Sequence, residues 1–321
     1  MVLAGRFGQI SKREKSGNNL ALMRRSTLKP RLVRLIVCCA LLAAASSAAR
    51  AQGRIECSTV SSRILNASVR YCAFLPPSYD TEKGRRYAAL YYLHGLGDSE
   101  RSLIDTGGWN VVQDLREQGR IGDFLIVTPE GGRTFYINSR NGRTRYSDFF
   151  LNEFMPAVER RYRVRGDRAS RGIMGISMGG YGALRFAFAH PELFASVSAH
   201  SAALMPESPE NLNVAVNSGF RGAGFLGDVF GNPIDAAFWR QNSPFVLAKK
   251  NAAAIKKLAI YFDCGAEDDY GFDQGARTLH EQLARENISH EFHIYPGNHS
   301  LVYFLQHIGA SFEFHWRAFK H

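Results

Sequence analysis

The chain has 321 residues and a formal net charge of +11 at pH 7, with 40 Lys and Arg against 29 Asp and Glu. Residues 1–51 hold ten of the basic residues and one acid, so they contribute +9 and leave +2 (11 − 9) for the other 270 residues (321 − 51). The basic character therefore belongs to the N-terminus and gives no support to nucleic-acid binding, and no nucleic-acid partner is expected. The remaining residues suffice for one large core.

Residues 1–51 have the order of an export signal. A basic stretch precedes the apolar run 35–45, and the small residues that follow end in Ala49-Arg50-Ala51, which is typical of a cleavage site. The apolar run is too short to span a bilayer permanently. We therefore expect cleavage between Ala51 and Gln52 and a secreted or periplasmic protein with no stable membrane span after cleavage. An uncleaved membrane anchor is the alternative.

Two features of this leader leave alternatives open. Arg24-Arg25 resembles the start of a twin-arginine signal, although Thr27 stands where such signals usually carry Phe. Export by the Sec route and export by the twin-arginine route are therefore both retained. Met23 directly precedes this pair and is an alternative start of the chain.

Three cysteines follow the leader, namely Cys57, Cys72 and Cys264. Cys57 and Cys72 flank a predicted hairpin and could face each other across it, which in an oxidising compartment permits a disulfide. Cys264 would then be a buried free thiol, and three unpaired cysteines are the alternative. No Cys or His pair has the spacing of zinc ligands, so neither a metal nor a cofactor is expected.

From residue 67 onward, short apolar runs alternate with amphipathic segments. The runs are typical of central parallel strands that are buried on both faces, and the segments between them have helical spacing. This alternation predicts an α/β fold with a mainly parallel central sheet and helices on both faces. The predicted strands are 67–75, 86–93, 124–128, 171–176, 195–199, 258–264 and 291–295. The predicted helices are 109–117, 146–162, 178–189 and 272–286.

Residues 202–246 interrupt this alternation. They form a long stretch rich in Gly, Pro and Asn, with little periodicity. Long irregular insertions near an active site often form a lid or a wall of the substrate pocket. We predict such a role for this insertion within a single domain, residues 52–321.

The strongest chemical signal is the hexapeptide Gly175-Ile176-Ser177-Met178-Gly179-Gly180. A glycine-flanked serine alone occurs by chance, but here a predicted strand precedes it and a predicted helix follows it. That setting is the one a nucleophile elbow requires, with the serine on a strained turn and glycines that permit close backbone approach. Ser177 is therefore the predicted nucleophile.

A serine hydroxyl needs a base, and in this architecture the partners follow in the order serine, acid, histidine. The loop after the last predicted strand contains His299, which is the predicted base. The loop after strand 258–264 offers Glu267, Asp268 and Asp269 as acids. Asp263 lies inside that strand, too early to reach a later loop.

The oxyanion hole needs two backbone amides that point at the developing negative charge. One belongs to the residue after the nucleophile, Met178. The other comes from the loop after an earlier strand. His94-Gly95 ends the strand 86–93, so the amide of Leu96 is the predicted second donor.

Together these motifs resemble the esterase D family of α/β-hydrolases, which includes feruloyl and acetyl-xylan esterases, tributyrin-type esterases, S-formylglutathione hydrolases and mycolyltransferases. The resemblance covers almost all of residues 54–318. It implies the α/β-hydrolase fold and a triad of Ser177, Asp268 and His299, with the amides of Leu96 and Met178 as the oxyanion hole. The motifs that carry it are Phe74-Leu75-Pro76-Pro77-Ser78-Tyr79, Tyr92-Leu93-His94-Gly95, residues 175–184, Cys264-Gly265 with Asp268 three residues on, and Gly297-Asn298-His299-Ser300.

The expected function is that of a secreted serine esterase that forms an acyl-serine intermediate on small or moderate acyl esters, either small molecules or carbohydrates. An acyltransferase with the same triad and a non-catalytic binding protein on a hydrolase scaffold are the alternatives. Tyr136, Asn138, Tyr146 and Trp239 are candidates to shape the pocket, against a core or surface role for each. No oligomeric state is predicted.

Overall fold

A computed structural model describes residues 53–211 and 224–319 of the chain. The chain divides by contacts into Met1–Arg50 and Ala51–His321, and the described residues all belong to the second unit. The predicted leader, its cleavage site and the alternative start at Met23 lie outside the described residues. They therefore stay predictions.

Eight strands form one sheet in the order β1-β2-β4-β3-β5-β6-β7-β8. The pairs β1–β2 and β2–β4 are antiparallel, and every other neighbouring pair is parallel. The predicted mainly parallel sheet is thus confirmed. The strands are β1 Arg54–Ser62, β2 Ala67–Leu75, β3 Ala89–Leu93, β4 Leu125–Pro129, β5 Arg171–Ile176, β6 Ser196–His200, β7 Ala259–Gly265 and β8 Glu291–Tyr295.

The bounds of β2, β5 and β8 agree with the prediction, and β4, β6 and β7 are displaced by one residue. The strand β3 begins three residues later than predicted, because Tyr87 forms only an isolated bridge with Val164. An apolar run in the sequence indicates which residues are buried. Here the buried residues begin earlier in the chain than the inter-strand hydrogen bonds that define the strand.

The hairpin of β1 and β2 places Cys57 directly opposite Cys72, and a disulfide joins the two. The structure thus selects the bridged alternative over three unpaired cysteines. Cys264, at the end of β7, is a buried free thiol.

The helices are α1 Ser102–Asp105, α2 Gly108–Glu117, α3 Tyr146–Phe149, α4 Met155–Arg161, α5 Met178–Ala189, α6 Gly224–Phe230, α7 Ala236–Asn242, α8 Pro244–Lys250, α9 Ala252–Ile255, α10 Phe272–Arg285 and α11 Leu301–Ala318. The predicted helix 146–162 consists of α3, one wider turn at Phe150–Phe154, and α4. This wider turn precedes Pro156, which has no amide to continue a regular helix.

The insertion 202–246 is more regular than predicted. Its described parts contain α6, α7 and the start of α8, and the buried side chains Leu226, Phe230 and Trp239 join the main core. These helices were not among the predicted ones. Helices of seven residues make only two turns, which is too short for a helical period to stand out in the sequence.

Side chains of β3 alternate between the two faces of the sheet. Ala89, Tyr91 and Leu93 belong to a core with α3–α5, α8 and α10, whereas Leu90 and Tyr92 belong to a core with α2 and α11. Helices therefore cover both faces, as predicted. In such sheets, ligands bind in the crevice beyond the carboxyl ends of the parallel strands.

Candidate active site

Ser177 occupies the turn between β5 and α5 with φ 55° and ψ −117°, a backbone conformation that side-chain-bearing residues rarely adopt. The turn is possible because of two glycines. A Cβ on Gly175 would overlap the backbone of Gly179, and a Cβ on Gly179 would overlap the carbonyl of Leu93. Ser177 is half-buried while its neighbours Ile176 and Met178 are buried, so the turn projects the serine from the sheet.

Backbone hydrogen bonds fix this turn to the end of β6. The amide of Ser177 donates to the carbonyl of His200 at 2.9 Å. The carbonyl of Ser177 accepts from the amides of Ala203 and Tyr181, each at 3.0 Å. Strained conformations persist only where their surroundings over-determine them, and these bonds provide that constraint.

The predicted acid and base lie together in the loops after β7 and β8. His299 Nδ1 is 2.7 Å from Asp268 Oδ2, and the Asp268 side chain is fully buried. Asp268 Oδ1 accepts the amides of Tyr270 at 3.0 Å and Phe272 at 3.3 Å. Burial acts to raise the pKa of the Asp268 carboxyl, but the contacts with His299 and the two amides outweigh it and hold the pKa below its ordinary value.

Aromatic rings surround the imidazole of His299. The centroids of Tyr270, Phe304 and Phe272 lie 4.7, 5.2 and 5.6 Å from it, all in edge-on contact. With Nδ1 on Asp268, Nε2 is the nitrogen left to exchange a proton. No direct hydrogen bond joins His299 to Ser177 within the described residues. Such bonds are often long in unliganded sites and tighten when substrate binds.

The two acids that flank Asp268 contact the backbone of the histidine loop. Glu267 Oε2 accepts the amide of Gly297 at 2.7 Å, and Asp269 Oδ2 accepts the amide of His299 at 3.2 Å. These hydrogen bonds between the two acids and the histidine loop were not predicted.

The predicted oxyanion loop lies against the serine. A Cβ built on Gly95 would be 3.7 Å from Ser177 Cβ, and the amide of Asp98 closes the turn by donating to the carbonyl of Gly95 at 3.2 Å. Leu96 is the next residue in this turn. Met178 opens α5, and the first amides of a helix have no acceptor within it. Both predicted donors therefore belong to segments that adjoin Ser177.

His94 supports this loop from beneath, a role that sequence reasoning missed. Its ring is fully buried, with Nε2 accepting the amide of Gly131 and Nδ1 donating to the carbonyl of Gly95, both at 2.8 Å. These partners assign the neutral tautomer with the proton on Nδ1. The hydroxyl of Tyr136 donates to the carbonyl of His94 at 3.0 Å.

The four residues suggested as pocket-shaping make internal contacts. Tyr136 is buried beneath the oxyanion loop, and the buried Tyr146 donates to the carbonyl of Glu130 at 2.8 Å. Trp239 is buried and its Nε1 donates to the carbonyl of Pro206 at 2.9 Å, while Asn138 Nδ2 donates to Asp148 at 2.9 Å. The structure thus favours a core or surface role over a pocket-shaping role for each of the four residues.

Metal chemistry has no recognisable site in the part of the chain that the structure describes. No three His, Cys, Asp or Glu side chains come together there in a way that could hold a metal ion. Within the same residues, the helices include none with both the length and the apolarity needed to cross a membrane.

Comparison with curated proteins gives relatives that are named as esterases. Esterase Rv1288 of Mycobacterium tuberculosis is 30% identical over 246 residues, which cover 70% of this chain and 51% of that protein. The chain thus spans about half the length of that relative. The acetyl esterase of Caldicellulosiruptor saccharolyticus is 26% identical over 265 residues, which cover 78% of this chain and 94% of that protein.

Among solved structures, a ferulic acid esterase superimposes with a TM-score of 0.71 at 27% identity, and the match covers 84% of this chain and 99% of that one. The model of the Esterase family matches residues 62–314. These findings confirm the resemblance that the motifs indicated. The chain therefore belongs to the Esterase family and has the α/β-hydrolase fold.

Proposed function

We propose that the chain is an exported serine esterase that hydrolyses carboxylic esters through an acyl-serine intermediate. One observation carries the proposal. The Asp268–His299 pair, with 2.7 Å between its polar atoms, lies at the same edge of the sheet as the strained turn that presents Ser177. A serine, a histidine and an acid in this chain order are the parts that acyl transfer through a serine requires.

The reaction has two halves. His299 Nε2 accepts the proton of Ser177 Oγ as this oxygen attacks the ester carbonyl, and the amides of Leu96 and Met178 bind the oxyanion. The tetrahedral species then collapses, the bond to the alkoxide breaks, and His299 protonates the departing alcohol. In the second half, His299 deprotonates a water molecule that attacks the acyl-serine, and collapse releases the acid and restores Ser177.

Asp268 controls the state of the base. Its lowered pKa keeps the carboxylate ionised at neutral pH, where it accepts a hydrogen bond from His299 Nδ1–H and leaves Nε2 free to act. The same carboxylate stabilises the imidazolium that forms during each half-reaction. The edge-on rings around His299 limit rotation of the imidazole away from this orientation.

We assign the substrates to small or moderate acyl esters of small molecules or carbohydrates. Within the described residues, the large apolar side chains that are exposed are Leu96, Leu301 and Val302. Leu96 belongs to the oxyanion loop, and Leu301 and Val302 follow His299 closely in the sequence. Apolar exposure beside a reacting centre is typical of a ligand-binding surface and supports an ester with an apolar group.

Export is supported by two independent features. The leader has the charge and hydropathy order of an export signal. The disulfide between Cys57 and Cys72 suits an oxidising compartment. N-terminal sequencing of the exported protein should find Gln52 at or near the start, and retention of residues 35–45 would contradict cleavage.

The test of the proposed activity combines a probe with a substrate panel. A fluorophosphonate should label the native protein but not Ser177→Ala, and nitrophenyl esters of rising chain length, methyl ferulate and acetylated xylan should give the acyl preference. Circular dichroism should show that Ser177→Ala is folded. Near-normal hydrolysis by that variant would refute the proposal, whereas acyl transfer to an added alcohol in preference to water would indicate an acyltransferase.

A further inference from the structure

A second serine–histidine–aspartate array lies buried behind the candidate active site. His200 and Asp263 occupy paired positions on β6 and β7, and both side chains are fully buried. His200 Nδ1 is 2.8 Å from Asp263 Oδ2, and His200 Nε2 is 2.7 Å from Ser311 Oγ on α11. Because the imidazole is sealed from solvent and substrate, this array cannot perform chemistry, and its role has to be structural.

Asp263 is held by three polar groups. The hydroxyl of Tyr303 donates to Oδ1 at 2.7 Å, and the hydroxyl of Tyr261 donates to Oδ2 at 2.8 Å, the oxygen that also faces His200. The His200 contact is close but lacks the alignment of a hydrogen bond. Burial acts to raise the pKa of the Asp263 carboxyl, but His200, Tyr303 and Tyr261 outweigh it and hold the pKa below its ordinary value.

The backbone of His200 and Asp263 is hydrogen-bonded to the turn that presents Ser177 and to the segment beside it. The carbonyl of His200 accepts the amide of Ser177 at 2.9 Å, and the carbonyl of Asp263 accepts the amide of Ser201 at 2.8 Å. The acid Asp268 follows Asp263 by five residues, along β7 and the loop after it. The buried pair is therefore continuous with the segments that hold both the nucleophile and the acid.

Tyr303 connects the pair to the base. It lies in the first turn of α11, directly after the histidine loop, and its amide faces Ser300 Oγ at 3.4 Å. A Cβ built on Gly297 would be 3.0 Å from Tyr303 Cδ2, so the ring packs against the loop that carries His299. Ser311, further along α11, makes the second polar contact between this helix and the buried pair.

We propose that Tyr303 is a positioning residue for the reaction, because its bond to Asp263 fixes the histidine loop to the strands that carry Ser177 and Asp268. This inference rests on the proposed function, since it assigns Tyr303 a role in that same chemistry. Without the bond, the histidine loop keeps its contacts with the acid loop, but the first turn of α11 loses its polar contact with Asp263. The distance between His299 and the nucleophile is then less tightly fixed. Displacements of about 1 Å in reacting groups can lower a rate by up to ~10²-fold.

The test compares two variants that each remove one hydroxyl from the same carboxylate. Tyr303→Phe should lower kcat by roughly 10- to 100-fold with KM within about twofold, since positioning affects the reacting geometry more than substrate binding. The control is Tyr261→Phe, because Tyr261 lies on β7 and its ring packs against His293 on β8 and against Phe314 near the far end of α11. Its kcat should stay within about threefold of the wild type, a modest change expected of a residue outside the reacting geometry.

Two further measurements separate positioning from stability. The melting temperatures of both variants should fall by similar amounts, and the proton resonance between His299 and Asp268 should shift or broaden only in Tyr303→Phe. If Tyr303→Phe does not fold, Ser311→Ala, which removes the other contact between α11 and the buried pair, should still lower kcat without raising KM. Equal kcat values for Tyr303→Phe and Tyr261→Phe would overturn the inference. Full activity of Ser177→Ala would instead overturn the proposed function.

Discussion

Asp268 Oδ2 lies 2.7 Å from His299 Nδ1, although the two residues belong to loops that follow different strands. The strands concerned, β7 and β8, are parallel neighbours, so their carboxyl ends deliver both loops to one edge of the sheet. Glu267 and Asp269 add bonds from the first loop to the backbone of the second. The acid loop therefore orients the imidazole and also holds the chain that carries it.

Asp268→Asn should lower kcat by orders of magnitude, up to the ~10⁴-fold seen when the aspartate of a serine-protease triad is replaced. The amide can donate to Nδ1, which stabilises the wrong tautomer and leaves Nε2 protonated. Steady-state kinetics on a nitrophenyl ester would measure the loss.

The matched controls for this prediction are Asp269→Asn and Glu267→Gln. Each removes a charge from a backbone contact with the histidine loop, so we expect a loss of about tenfold or less, as for an interaction outside the reacting centre. If Asp269→Asn proved the crippling change and Asp268→Asn the mild one, the assignment of the acid would be off by one position.

Activity should fall as the pH is lowered, and the loss should come from the histidine. Only a neutral imidazole can accept the proton of Ser177, so protonation of His299 blocks the first step. Asp268 does not cause this loss, because its pKa is held below the ordinary value and the carboxylate stays ionised in mildly acidic solution. A profile of kcat/KM against pH would test this, and a rate that stayed constant down to about pH 4 would contradict a histidine base.

The stability that Asp268 and Asp263 contribute should also decline as the pH is lowered, but at a lower pH than their ordinary titration. For both carboxyls the pKa is lower in the folded than in the ordinary state, so their stabilisation is present above about pH 4, the ordinary value of Asp, and is lost as the pH falls through the lowered pKa. Urea unfolding at pH 7 and pH 3 should show this decline in the wild type. Asp263→Asn should show a smaller decline, and an equal decline would mean that Asp263 is not the group responsible.

The position of the site could be predicted because a parallel sheet gathers the ends of its strands. Ser177, Asp268 and His299 are each placed by the strand that precedes them, and an apolar run suffices to locate such a strand. Local sequence signals therefore predicted a long-range arrangement, because the topology supplies the proximity.

The buried pair behind the site could not be predicted in the same way. His200 and Asp263 are 63 positions apart, and either side chain on a strand end can face the ligand crevice or the core. Their partners Tyr303 and Ser311 lie on α11, whose aromatic residues do not define one apolar face in the sequence. The packing of α11 decides which face of a strand end is buried. No local pattern in the sequence predicts that packing.

Loss of the disulfide should weaken the fold but spare the chemistry. Cys57 and Cys72 are separated by 15 positions, and closing a loop of that length contributes about 3 kcal/mol. Cys57→Ser with Cys72→Ser should lower the free energy of unfolding by about that amount, measured by urea denaturation without reductant. Because β1 is an edge strand remote in the sheet order from β5 and β7, kcat should be unchanged, and a large fall in kcat would contradict this.

The support that His94 gives the oxyanion loop should appear in kcat. His94→Ala leaves the amide of Gly131 without its acceptor and the carbonyl of Gly95 without its donor, so the turn that carries Leu96 loses its fixed position. Removal of one oxyanion donor typically costs about 10²- to 10³-fold in kcat, and a displaced donor should cost part of that, roughly 10- to 100-fold, with KM little changed.

Leu96→Ala is the control, since it retains the backbone amide and should keep kcat while raising KM for apolar esters. The two variants are to be compared on one nitrophenyl ester after their folding is verified by circular dichroism. A larger fall in kcat for Leu96→Ala than for His94→Ala would mean that the Leu96 side chain, and not the position of its amide, determines the contribution of this loop.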